Sequence, residues 1–274
     1  MSSLANLPQG PLAINIFEPD AYEGSYKGDA ILVHGFTGSK EDFDYIGPLL
    51  AKCGYRVFAP DNRAQHESPI AENDSAYTSQ AHGRDVVDLV RHFNLDRPHL
   101  FGHSFGGLVA QCAVLQAPEL FRSLTLFCSG PSAQPTPRFS AQLAKDLPGK
   151  TMQEAWQEFA EEMYVNHPRK ELMKKRWLAN DPLSLLVHAR ELATFESVLS
   201  EIAARKIPAH VVYGENDDAW PLEMQNEMAK DLSAQLSIIK DAGHCPNEDQ
   251  PEAAAKVIAD FWDVTPHVRF ESAN

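Results

Sequence analysis

The residues best placed to do chemistry in this chain are Gly102-His103-Ser104-Phe105-Gly106-Gly107, a serine between glycines at G-x-S-x-G spacing. A serine hydroxyl is a poor nucleophile until a base takes its proton. The spacing suits a sharp strand-to-helix turn that projects the hydroxyl, with glycines permitting close backbone approach and a helix N-terminus favouring nearby negative charge. The candidate base is His244, in Asp241-Ala242-Gly243-His244-Cys245-Pro246. It lies between the last apolar run and the final helical pattern, on a loop of the kind where ligands gather in parallel sheets. The candidate acid to orient that base is Asp217, in Gly214-Glu215-Asn216-Asp217-Asp218, with Asp218 and Glu215 as alternatives. The loop Ser129-Gly130-Pro131-Ser132 offers no competing acid. In His34-Gly35-Phe36-Thr37-Gly38 the glycines let the backbone turn inward, so the amides of Phe36 and Phe105 are the expected oxyanion donors. His34 itself is expected to pack and hydrogen-bond structurally.

These groups need a scaffold that brings distant loops together. Short apolar runs at Ala30–Val33, Arg56–Ala59, Leu100-Phe101, Leu124–Cys128, His210–Tyr213 and Leu236–Ile239 read as strands. Helical patterns alternate with them, around Phe43 to Leu50, Val86 to Phe93, Leu108–Leu115 and Pro251 to Trp262. The alternation predicts an α/β fold, a mostly parallel sheet with helices on both faces. It breaks after Gly130, where Pro131, Pro135 and Pro137 open a long helical stretch. We therefore expect a core of residues 1–130 and 206–274, with 131–205 inserted as a mobile helical lid. Trp156, Phe159, Met163 and Trp177 are candidates for its apolar roof, with Trp156, Phe159 and Trp177 as candidate substrate-binding residues.

His34 through Gly38, Gly102 through Gly107, Gly214 through Asp217 and Ala242-Gly243-His244 together resemble the α/β-hydrolase superfamily, in its lid-bearing esterase and lactonase-like branch. The order Ser104, Asp217, His244 is that of this superfamily. The resemblance implies a cofactor-independent serine hydrolase acting on a small to medium, neutral ester or lactone through an acyl-enzyme. A receptor that keeps the triad, a C–C hydrolase, an acyltransferase and a cofactor-free oxygenase are alternatives on the same fold. Relatives that dehalogenate or open epoxides carry aspartate at the nucleophile position, where this chain has Ser104. Many relatives also carry D-x-R-G-H-G-x-S, but here Asp61-Asn62-Arg63-Ala64-Gln65-His66-Glu67-Ser68 lacks both glycines, which predicts a different backbone path. Cys245 stands where many relatives have serine and is expected to be a small buried packing residue.

The rest of the composition narrows the classes. A formal net charge of −14 disfavours nucleic-acid partners. Four scattered cysteines suggest reduced thiols, and no H-E-x-x-H or comparable cluster suggests a metal. No apolar run is long enough to insert in a membrane and no secretory signal opens the chain, so the expectation is a cytoplasmic protein. Nothing in the sequence sets the oligomeric state.

Overall fold

The computed structural model describes residues 3–19, 26–71, 73–135 and 138–266, so Pro137 of the expected proline-rich loop lies outside the described residues. Eight strands form one sheet in the order β1-β2-β4-β3-β5-β6-β7-β8. They are β1 (Ser3–Leu7), β2 (Gly10–Phe17), β3 (Gly28–Val33), β4 (Tyr55–Pro60), β5 (His99–His103), β6 (Ser123–Phe127), β7 (Ala209–Gly214) and β8 (Gln235–Ile239). From β4 to β8 all neighbours are parallel, while β1, β2 and β4 pair antiparallel. The central strands β5, β6 and β7 are buried at every residue. That is why they read as continuous apolar runs rather than as alternation. The apolar pattern predicts no strand before Ala30. The β1–β2 hairpin escapes it because Pro8 and Pro11 interrupt a short pattern at a sheet edge.

Helices α1 (Ile46–Lys52), α2 (Ser79–His92), α3 (Phe105–Gln116) and, after the insert, α9 (Leu222–Asp231), α10 (Pro246–Asp249) and α11 (Pro251–Val264) complete the layers. Every residue of α3 from Phe105 to Val114 is buried. A helix buried on all sides like this one belongs between the sheet and an outer layer, here α2. Between β6 and β7 the described residues form α4 (Arg138–Asp146), α5 (Met152–Ala155), a π-helical turn over Trp156–Ala160, α6 (Lys170–Ala179), α7 (Pro182–Thr194) and α8 (Leu199–Arg205). Capping sets two of these starts. Thr151 and Glu154 form a reciprocal capping box, and Asp181 accepts from Leu183 N–H ahead of Pro182. Helix α8 packs on α3 and α9 of the sheet layers, so the body standing over the strand ends is α4 to α7.

That body is joined to the sheet layers by polar contacts as well as apolar ones. Arg169 reaches Asp44 at 3.0 Å, the Glu41 carbonyl at 2.9 Å and Glu248 at 3.3 Å. Ser79 donates through N–H and hydroxyl to Glu191, at 3.0 and 2.7 Å. His82 of α2 and His188 of α7, both buried, bond through their Nε2 atoms at 2.8 Å.

Candidate active site

Strand β3 is the switch point of the sheet: the chain moves to one side for β4 and returns across β3 for β5. Loops leaving β3 and β5 therefore emerge side by side, where open α/β sheets bind ligands. Val33 is in register with Gly102, so the His34–Gly38 loop runs beside Ser104. The turn into α3 is tight enough to demand glycine. A Cβ on Gly106 would lie 2.3 Å from the Val33 carbonyl, and one on Gly102 would lie 2.2 Å from that of Gly106. Ser104, the residue between them, has φ 54° and ψ −120°. An L-residue held there stores on the order of 1–3 kcal/mol of backbone strain. Two bonds hold it, Ser104 N–H to the Phe127 carbonyl at 2.9 Å and Ser129 Oγ–H to the Ser104 carbonyl at 2.8 Å.

The structure places Ser104, His244 and Asp217 in one hydrogen-bonded line. Ser104 Oγ lies 2.9 Å from His244 Nε2, and His244 Nδ1 lies 2.8 Å from Asp217 Oδ1. A carboxylate only accepts, so Nδ1 carries the proton and Nε2 is left to accept from the serine hydroxyl. Asp217 Oδ1 also accepts from Ala219 N–H at 3.1 Å, and Oδ2 from Gln225 Nε2 at 2.9 Å. Burial alone would raise its pKa. The bonds from His244, Ala219 and Gln225 outweigh burial and hold the carboxyl below its ordinary range. The alternatives Asp218 and Glu215 are not in this line; Glu215 instead accepts from Asp241 N–H at 3.1 Å.

The two expected oxyanion donors sit on peptides fixed from behind. The Gly35 carbonyl accepts from His34 Nδ1 at 2.9 Å and from Gly38 N–H at 3.1 Å. The Ser104 carbonyl accepts from Ser129 and, at 2.9 Å, from Gly107 N–H. In a trans peptide the C=O and N–H point to opposite sides, so the N–H groups of Phe36 and Phe105 face away from these bonds. Phe105 opens α3, where a backbone N–H has no partner within the helix. On the other strand-end side, His34 Nε2 accepts from Asn62 N–H at 3.0 Å. Both bonds demand the neutral Nδ1–H tautomer, in keeping with burial that pulls His34 down to about 4.

Three supporting residues are invisible to motif reading. Gln65, fully buried, donates to the Phe36 carbonyl at 2.8 Å. Gln225 braces Asp217 as above. His103 Nε2 donates to the His244 carbonyl at 2.8 Å and so anchors the loop that carries the base. Burial brings His103 down to about 4.

The Asp61–Ser68 loop takes left-handed turns without glycine. The two positions where glycine is missing, Ala64 and His66, take φ values of 59° and 48°. Both are left-handed, the region that glycine favours, although neither residue is glycine. Hydrogen bonds hold it there: Ala64 N–H to the Pro69 carbonyl at 3.1 Å, Asp181 N–H to the Ala64 carbonyl at 2.9 Å, and His66 N–H to Asn180 Oδ1 at 3.1 Å. Beside this loop, the ligand atoms of Glu41, His66 and Glu67 come within 4.8 Å of one another. The buried Lys40 ammonium lies 2.9 Å from Glu41, 2.9 Å from Glu67 and 2.8 Å from Asp61, and so already bridges these carboxylates.

Ser104, His244 and Asp217 open onto a cavity of about 880 Å³. Its wall includes Phe36, Phe139, Met163, Leu192 and Trp220. Of the three aromatic residues expected to bind substrate, Trp177 lines it and Trp156 and Phe159 do not. Trp156 is fully buried behind Trp177, their rings 6.2 Å apart and edge-on, and it stacks on Tyr164 at 5.8 Å. Phe159 is half-buried, with the Lys150 ammonium 5.1 Å from its ring centre. Cys245 also departs from expectation. It is only partly buried and lines the cavity, with burial pushing its thiol well up, so it stays protonated.

Among the described residues no helix is long and apolar enough to cross a membrane. Comparison with known proteins places the chain. It is 25% identical over 288 residues to the uncharacterized hydrolase YugF of Bacillus subtilis, covering 90% of this chain and 94% of that one. It is 24% identical to a pyrethroid hydrolase of Sphingobium wenxiniae, covering 88% and 90%. The fold is that of an esterase from Exiguobacterium antarcticum, with a TM-score of 0.81 at 16% identity over 96% of this chain and 100% of that one. Residues 30–257, most of the chain and including Ser104, Asp217 and His244, match the sequence pattern of one family, and the protein is therefore a member of the alpha/beta hydrolase family.

Proposed function

We propose that this protein is a serine hydrolase that cleaves a carboxylic ester or lactone through an acyl-enzyme, with no cofactor in either step. The observation that carries the reading is the Ser104–His244–Asp217 line at 2.9 and 2.8 Å, open to the 880 Å³ cavity. Ser104 Oγ attacks the carbonyl carbon while His244 Nε2 takes its proton. Asp217 keeps the Nδ1–H tautomer and stabilises the imidazolium. The Phe36 and Phe105 amides receive the oxyanion of the tetrahedral intermediate. His244 returns the proton to the departing alcohol oxygen as the C–O bond breaks. Water then loses a proton to His244 and attacks the acyl carbon, and His244 returns that proton to Ser104 Oγ as its bond to the acyl carbon breaks, releasing the acid. Helices α4 to α7, within the insert of residues 131–205, act as a lid that shapes the acyl pocket over the catalytic residues of the sheet layers.

A fluorophosphonate probe should label Ser104 once, and p-nitrophenyl butyrate should be turned over. Ser104→Ala should lose both, and Asp217→Asn should lower kcat by about four orders of magnitude while Asp218→Asn has little effect. Labelling that persists in Ser104→Ala would sink the assignment. Labelling of Ser104 without turnover of any ester or lactone would point to a binding protein.

A further inference from the structure

One stretch of the cavity wall is polar and has no part in the reaction steps above. Asp42, Tyr164, Arg176 and Asn247 all line it. Arg176, on α6, and Asp42, on the 3-10 helical turn Lys40–Phe43 after β3, are each only 7% exposed. Arg176 Nη1 pairs with Asp42 Oδ1. Asp42 Oδ2 accepts from Ser39 N–H at 3.3 Å, and its backbone carbonyl accepts from Asn247 Nδ2 at 2.8 Å. Further along the wall Glu248 is matched in turn by Arg169 at 3.3 Å. On this stretch of wall Arg176 thus meets Asp42, and Glu248 meets Arg169, which Asp44 shares.

Arginine has five N–H donors in a planar fork, and Asp42 takes up one end of it. The guanidinium can still donate to an acceptor in the cavity, yet it has no positive charge to spare. A substrate carboxylate at Arg176 would lie beside Asp42, a buried carboxylate that burial alone would push towards protonation and Arg176 keeps ionised. Separating a buried pair leaves an uncompensated charge, which is far more costly than a hydrogen bond is favourable. A neutral carbonyl asks for no such separation.

Resting on the ester-hydrolase reading of Ser104, we propose that the Asp42–Arg176 pair is a substrate subsite that takes a neutral hydrogen-bonding group, such as an amide carbonyl, and rejects a carboxylate. The substrate class is then an ester or lactone with an uncharged polar group away from the scissile bond.

Three p-nitrophenyl esters differing only at the far end test this: hexanoate, the adipic carboxamide and the adipic half-ester carboxylate, each corrected for spontaneous hydrolysis. In the wild-type enzyme kcat/KM for the carboxamide should exceed that for the carboxylate at least tenfold, mostly through KM. Asp42→Asn keeps an acceptor for Ser39 but releases the Arg176 charge, and should move the ratio at least tenfold towards the carboxylate. Arg176→Met should erase any preference for the carboxamide over hexanoate. Equal wild-type rates on carboxamide and carboxylate would overturn the proposal, and that measurement stands even where a variant fails to fold. So would an Asp42→Asn enzyme with an unchanged ratio. If Ser104 is labelled and hexanoate is hydrolysed while the ratios stay flat, only the subsite is wrong. If no ester is hydrolysed and Ser104 is not labelled, the parent reading falls with it.

Discussion

Gln65 is the residue whose importance rests wholly on the fold. It sits 29 positions from Phe36 in the chain, yet its amide N–H holds the Phe36 carbonyl. Removing it should loosen the backbone that offers the Phe36 N–H, without touching substrate. Direct loss of an oxyanion donor costs about 100- to 1000-fold in kcat. Gln65→Leu, which acts one step removed, should cost about tenfold in kcat with KM little changed, and Gln65→Asn or Gln65→His should recover part of the loss if its N–H reaches the same carbonyl. A Gln65→Leu enzyme that lost KM and kcat together would indicate general loosening instead. Ser104, Asp217 and His244 could be picked out of the sequence because each lies in a short local pattern beside a strand end. Gln65, Gln225, His103 and the Asp42–Arg176 pair could not, because nothing near any of them in the chain names its partner. Asp42 and Arg176 are 134 residues apart in the chain and meet only in the folded wall of the cavity.

At the scale of elements, periodicity revealed the central strands and the helical insert, since buried parallel strands and amphipathic helices leave different signatures. It missed the edge hairpin, and it could not say which insert aromatics face inward. Trp156, Phe159 and Trp177 look alike in sequence, but the π-helical turn at Trp156–Ala160 shifts the register of side chains around the helix. Their substitutions should therefore separate. Trp177→Ala removes part of the cavity wall and should shift the ranking of acetyl, butyryl and octanoyl esters towards the longest. Trp156→Ala removes a fully buried ring and should cost about 3–5 kcal/mol in stability, leaving the ranking of the folded enzyme as it was. Unfolding curves paired with kcat/KM across the three esters would show this. An unchanged ranking in Trp177→Ala would remove it from the acyl wall.

For the whole molecule, acid is the predicted weakness. Burial brings His34, His103 and His210 each down to about 4, from an ordinary value near 6.5. Below pH 6.5 the unfolded chain takes up these three protons while the folded chain refuses them, so stability falls as pH drops from 6.5 towards 4. Burial pushes Asp61 up to about 6, so the folded state gains a proton there over much of the same window and offsets one of the three. Denaturant midpoints measured at pH 7 and pH 5 should fall with acid, and His210→Gln, far from Ser104, should flatten the slope by one proton. A midpoint that is flat or rises with acid would contradict this balance. The backbone at Ser104 has a consequence of another kind. A protein gains nothing in robustness from a residue held at φ 54° and ψ −120°. Glycine alone is at ease there, although it costs about 0.4–1 kcal/mol through the freer unfolded chain. Ser104→Gly should therefore melt higher than Ser104→Ala, and by up to a few degrees higher than the wild type, while catalysing nothing. Calorimetry of the three proteins would read directly how much thermal endurance the chain gives up to keep one hydroxyl pointed into its cavity.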